Sequence, residues 1–83
     1  MVVRVTKLSH GGALPAGYTL SGELVDFVIP GRPLCVDRRE RCGVWVRGWF
    51  QTPLVTGTDV TDEGLEVTTE NGSYLVQELD DNE

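Results

Sequence analysis

No stretch of this 83-residue chain is an apolar run near the roughly 20 residues that a membrane-spanning helix needs. That predicts no helical membrane anchor. The N-terminus reads Met1-Val2-Val3-Arg4, without a basic segment ahead of an apolar core, so no secretory leader is expected and the default compartment is cytoplasmic. Histidine occurs once and cysteine twice, short of the ligand set of a structural zinc site, so neither metal nor cofactor is expected. Gly-x-Ser-x-Gly is absent, and His10-Gly11-Gly12 offers only the backbone of an oxyanion hole, with no nucleophile or base to accompany it. Asp62 and Glu63 stand side by side in a turn sequence with no partnering base. No catalytic residue follows from the sequence, and an enzyme is not expected.

Basic residues are also missing beyond Arg47. Residues 1–47 carry seven basic and four acidic groups, whereas residues 48–83 carry nine acidic groups and none basic, which gives the net charge of −6. Long nucleic acids are bound largely by neutralising phosphates, so an acidic second half argues against duplex or long single-strand binding. Helical periodicity never extends beyond two turns, and no 20-to-50-residue repeat is visible. The hydrophobic share of 40% is nonetheless that of a globular chain, and the length suits one domain over residues 1–83 with a modest core.

The chain is organised around residues 42–55, Cys-Gly-Val-Trp-Val-Arg-Gly-Trp-Phe-Gln-Thr-Pro-Leu-Val, which hold both tryptophans and the strongest alternation. Strand side chains point alternately to opposite faces. Cys42, Val44, Val46 and Phe50 should therefore share a core side, and Trp45, Arg47, Trp49 and Gln51 the other. Gln51-Thr52-Pro53 should end or bend this strand before it resumes over residues 54–60, because proline cannot donate to a sheet ladder.

Val3 and Val5 alternate with Arg4 and Thr6 as a first strand within residues 2–8. Residues 9–22, rich in glycine and serine, read as a long loop with a short strand near residues 18–20. Residues 24–29 alternate as a second strand, and Ile29-Pro30-Gly31-Arg32 should reverse the chain in a type II turn. Leu34-Cys35-Val36 resumes an extended run, and the charged cluster 37–41 reads as a hairpin tip. A tip over residues 37–40 would put Cys35 opposite Cys42, close enough for a disulfide but reduced in a cytosolic setting. Thr61-Asp62-Glu63-Gly64 is a further turn. Asn71-Gly72 is a strong hairpin signal, predicting a type I′ turn that pairs Val67 with Val76, buries Leu65, Val67, Tyr74 and Val76, and leaves Leu75 outside. Residues 80–83 should fray. The expected fold is all-β: a small, partly open antiparallel barrel of five or six strands, SH3-like in the first instance and OB-like in the second, since curling hides sheet edges in a short chain.

The segments Gly48-Trp49-Phe50-Gln51-Thr52-Pro53-Leu54-Val55 and Val67-Thr68-Thr69-Glu70-Asn71-Gly72-Ser73-Tyr74-Leu75 resemble small β proteins of phages, plasmids and actinobacteria, whose C-terminal hairpins often read Thr-x-Asn-Ser-x-Tyr-x-Leu. The likeness covers the second half of the chain; Gly72 stands between Asn71 and Ser73, and Pro53 stands where a serine is usual. It implies a phage-type accessory protein that sequesters a ligand or blocks a host protein, and it transfers no site residues.

Candidate chemistry therefore rests on the residues themselves. Trp49 and Arg47, with Arg32, Arg38, Arg39 and Arg41 on adjoining turns, combine stacking surfaces with guanidinium forks, a set suited to a small nucleotide-like anion. Trp45, nearer the middle of its strand, is the tryptophan expected to be structural. The reading is a non-enzymatic accessory protein that sequesters such an anion as a counter-defence sponge. The alternative is a protein-binding inhibitor or assembly factor acting through an edge strand or the acidic face, with a homo-oligomer left open.

Overall fold

The computed structural model describes residues 1–9 and 11–79 and builds six strands: β1 (Val2–Lys7), β2 (Thr19–Leu24), β3 (Pro33–Arg41), β4 (Val44–Thr61), β5 (Gly64–Thr69) and β6 (Gly72–Glu78). His10, within the expected loop of residues 9–22, and residues 80–83, expected to fray, lie outside the described residues. All pairs are antiparallel, each strand neighbours the next in sequence, and β1 returns to pair with β6. The expectation of a small all-β antiparallel barrel holds. The ring is closed in strand order, and the neighbour order is a plain meander without the Greek-key crossover of an OB fold.

Inward-facing residues follow the period of two. Val3 and Val5 on β1, Leu20 on β2, Leu34 and Val36 on β3, Val55 on β4, Val67 on β5, and Tyr74 and Val76 on β6 form the core. Each apolar side chain removed from water in this way contributes about 1.5–3 kcal/mol. Leu75 is buried as well, although it points away from this cluster. The outer position expected for it is thus covered rather than solvated.

β4 explains why the ring is irregular. Its 18 residues run without interruption, but residues 44–54 pair with β3 while residues 55–61 pair with β5, with register shifts near the change of partner. The bend expected at residues 51–53 is this corner. Pro53 offers no N–H, and the Thr52 side chain compensates: its Oγ1 accepts the Leu34 amide at 3.0 Å and donates to the Pro53 carbonyl at 2.7 Å. Inward parity switches there, from Val46, Phe50 and Thr52 to Val55, so Leu54 is exposed.

The two mouths of the barrel differ. At one, the segment after β1 folds over the end and is held by Lys7, an inward-facing lysine only 2% exposed. Its Nζ donates to the carbonyls of Ser9 (2.7 Å), Gly11 (2.7 Å) and Leu14 (3.2 Å) and lies 5.6 Å from the centre of the Tyr74 ring. Ser9 Oγ accepts the Ser73 amide at 3.0 Å, which ties the same segment to β6. At the other mouth, the residues between β2 and β3 cover the end incompletely.

That second segment overturns an expectation. Residues 24–29 are not a strand; only Leu24 belongs to one, as the last residue of β2, and Val25, Phe27 and Ile29 are exposed. The strand lies earlier, over Thr19–Leu24, inside what the sequence presents as loop. Gly22 is the reason for the misreading: it looks like punctuation, but it is buried where β2 crosses β3, and a Cβ there would collide with the Asp37 carbonyl. The reversal at residues 29–32 is present, with Gly31 at φ 92° and the Arg32 amide donating to the Ile29 carbonyl at 3.3 Å.

Two hairpins also differ from expectation. β3 runs through the charged cluster to Arg41, so the tip is Cys42-Gly43, and both adopt positive φ (47° and 86°), as a type I′ turn requires. Cys35 consequently faces Gln51, not Cys42, and both thiols are free; seven residues of strand separate them by roughly 23 Å. Cys42 and Val44 are exposed at this tip and not in the core. At the last hairpin the loop residues are Glu70 and Asn71, and Val67 pairs with Tyr74, two places from the expected Val76. A shift of two preserves parity, so Val67, Tyr74 and Val76 are buried as expected.

Candidate functional site

The hairpin formed by β3 and the first half of β4 carries most of the candidate residues. Among the described residues, residues 44–54 of β4 have ladder partners on one edge only, because β5 begins to pair at Val55. The closed ring therefore leaves an open strand edge beside the tryptophans. On the outer face of this stretch, Trp45 is 79% exposed and Trp49 is 56% exposed, with exposed Arg47 between them. Strand rise places the two tryptophan Cα atoms roughly 13 Å apart. Trp49 Nε1 donates to Gln51 Oε1 at 3.0 Å, which orients the indole along the strand.

Rows of opposite residues extend this face across the sheet. Trp45 stands opposite Glu40, which stands opposite Ser21; Trp49 stands opposite Asp37, which stands opposite Glu23. Ser21 Oγ donates to Glu40 Oε1 at 3.0 Å. Arg39 reaches Glu23 at 3.5 Å, and the same carboxylate takes the N-terminal amine of Met1. The hydrogen bond from that amine holds the Glu23 carboxyl below its ordinary range, helped by the charges of Met1 and Arg39 and opposed by desolvation. Cys35, opposite Gln51, has its thiol pushed up by burial and by nearby Asp26, which keeps it protonated and poorly nucleophilic.

The arginines do not converge. Arg39 and Arg47 share the outer face with the tryptophans. Arg41 lies at the hairpin tip next to Cys42. Arg38 is on the inward side, where its Nε donates to the Val46 carbonyl at 3.0 Å and its guanidinium lies over Gly48, close enough that a Cβ there would sit 2.5 Å from it. Gly48 provides that space, and the neighbouring register shift lies between Arg38 and Glu40. Arg32 sits beyond the far end of β3, roughly 30 Å of strand from Arg41, and its Nη1 is paired with Asp26 at 3.0 Å. Trp45 is more exposed than Trp49, which overturns the expectation that it would be the structural one.

Three clefts border the described residues elsewhere. One of about 150 Å³ lies between residues 11–14 and the corner of β4, one of about 250 Å³ lies beside Val25 and Phe27, and one of about 370 Å³ occupies the incompletely covered mouth. No arginine lines any of them. Sequence reasoning missed Lys7 and Glu78; both keep the inward parity of their strands at opposite mouths of the barrel, a signal visible once β1 and β6 are aligned. Among the described residues no helix is long and apolar enough to cross a membrane. Comparison with protein-family models, with curated proteins and with solved structures found no match.

Proposed function

We propose that this chain is a non-enzymatic, cytoplasmic binding protein whose partner is another protein, engaged as an extended segment along the open edge of residues 44–54. The observation that carries this reading is the coincidence of an unpaired strand edge with two exposed tryptophans on the same strand. An added strand draws affinity from main-chain hydrogen bonds and specificity from alternate side chains, here Trp45, Arg47 and Trp49. Tryptophan and arginine are also the residue types that dominate binding energy at protein interfaces. A phage-type accessory role, blocking or assembling with a host protein, is the setting this reading fits.

The scatter of the arginines supports a protein partner over a nucleotide-like anion. Asp37, Glu40 and Glu23 flank the tryptophans on the same face, where they oppose a phosphate but complement the mixed charge of a protein surface. Self-pairing centred on Arg47 would set like guanidinium groups opposite one another, which disfavours that register for a homo-oligomer. The test compares wild type with the Trp45→Ala/Trp49→Ala variant. The expected result is an unchanged melting temperature, loss of a co-purifying host protein, and no thermal shift of either form with a nucleotide panel. A nucleotide-dependent shift lost in the variant would replace the protein partner with the anion reading.

A further inference from the structure

The incompletely covered mouth of the barrel has its own chemistry. Its cleft of about 370 Å³ is walled by Val3, Leu24, Val28, Leu65 and Val76, with Met1 and Phe27 at the rim. A smaller cleft of about 250 Å³ adjoins it and shares Met1, Leu24 and Phe27. Barrel mouths of this size, apolar with few polar groups, are common positions for small ligands.

One polar side chain breaks the apolar wall. Glu78 stands directly opposite Val3 and two residues beyond Val76, both inward-facing and buried, so it has the inward parity of β6 at the mouth. Among the described residues its carboxylate has neither an ion pair nor a hydrogen bond, whereas Asp26, which lines the adjoining cleft, and Glu23, opposite Val2, are paired with Arg32 and the Met1 amine. Phe27 is 78% exposed at the entrance. An aromatic face there adds attraction for a cation.

We infer that this mouth is a second binding site, distinct from the β4 edge, that accepts a small apolar cation: an alkyl or aryl ammonium ion whose chain enters between Leu24, Leu65 and Val76 and whose charge rests on Glu78. The apolar walls select the body of the ligand, and the single unpaired carboxylate selects its sign. An apolar anion of the same size meets the same walls and a repelling charge.

The test uses the full chain with octylammonium, octanol and octanoate as probes, read by methyl chemical shifts in nuclear magnetic resonance. Octylammonium should shift the methyl groups of Val3, Leu24, Leu65 and Val76 and bind at least about tenfold more tightly than octanoate, a ratio equivalent to one charge-assisted contact. Glu78→Gln, at an exposed strand end, should erase that difference and leave octanol binding unchanged. Equal binding of the two ions by the wild type would overturn the inference. So would shifts confined to the tryptophan face, or none from any probe at millimolar concentration.

Discussion

Lys7 shows how one side chain can close a small barrel. A lysine ammonium has three donors, and all three described acceptors are main-chain carbonyls of the segment it holds, so a costly burial is offset by bonds that fix Ser9, Gly11 and Leu14. Lys7→Met keeps the length and loses the donors; it should destabilise the fold by about 1–3 kcal/mol in chemical denaturation, with faster hydrogen exchange at the amides of Leu8 and Ser73. Gly72 meets the same structure from outside. It has φ 114°, and a Cβ there would sit 2.5 Å from Ser9 Oγ, whereas Gly31 at φ 92° has open space around it. Gly31→Ala therefore reports backbone strain alone, and Gly72→Ala should cost more by the added collision; strain alone is on the order of 1–3 kcal/mol. Equal losses in thermal melts would remove the collision from this account. Tyr74 is a third reporter. Burial raises its phenol above the ordinary value, opposed by a hydrogen bond with Thr69. A raised folded value means that stability is fully present below the unfolded value and declines as pH climbs through the folded one. Tyr74→Phe should flatten this alkaline component of the stability profile.

At the scale of elements, the sequence was most legible where alternation met tight turns and least where glycine did structural work inside strands. The first strand, the residues 61–64 turn and the buried set of the last hairpin follow from parity alone. The hairpin registers do not, because turn type depends on φ and not on composition. Asn71-Gly72 carries the usual type I′ signature, yet among the described non-glycine residues only Cys42 has positive φ. Thr69 settles the matter: its Oγ1 accepts the Asn71 amide at 3.1 Å and donates to the Gly72 carbonyl at 3.1 Å, which moves the turn one residue earlier and leaves Gly72 in the left-handed position. Thr61 makes the corresponding bonds to Glu63 and Gly64. Two turns of the form Thr-x-x-Gly thus share one device, visible in the sequence as a spacing but not as a named motif. Cys42, in contrast, occupies a position better suited to asparagine. Cys42→Asn should raise the melting temperature of the reduced protein modestly, since asparagine tolerates positive φ more readily. A lower melting temperature would mean that the thiol contact with the Thr19 carbonyl at 3.6 Å outweighs the backbone preference. The tryptophan face was legible by parity; the open edge beside it was not, because it arises from a single long strand changing partners.

For the whole molecule, closing the ring through β1 and β6 brings the two halves of the sequence together and sets their charges apart on the surface. The arginines of residues 38–47 lie on and around the β3–β4 hairpin, while Asp59, Asp62, Glu63, Glu66 and Glu70 lie on the second half of β4, β5 and their turns. Asp59 stands directly opposite Glu66, a like-charge pair of the kind that weakens a sheet. Among the described residues neither carboxylate has an ion-pair partner, and no basic residue follows Arg47 in the sequence. Added salt should therefore stabilise the protein, because exposed charges are screened over a Debye length of about 8 Å at physiological ionic strength. Glu66→Lys converts the repelling pair to an attracting one and should raise stability by roughly 0.5–1 kcal/mol at low salt. Thermal melts of both forms from low to high salt separate this from a general effect on folding: the gap between them should narrow as salt rises. A gap that stays constant would assign the gain to strand propensity or packing at Glu66, and the charge account of this face would fail.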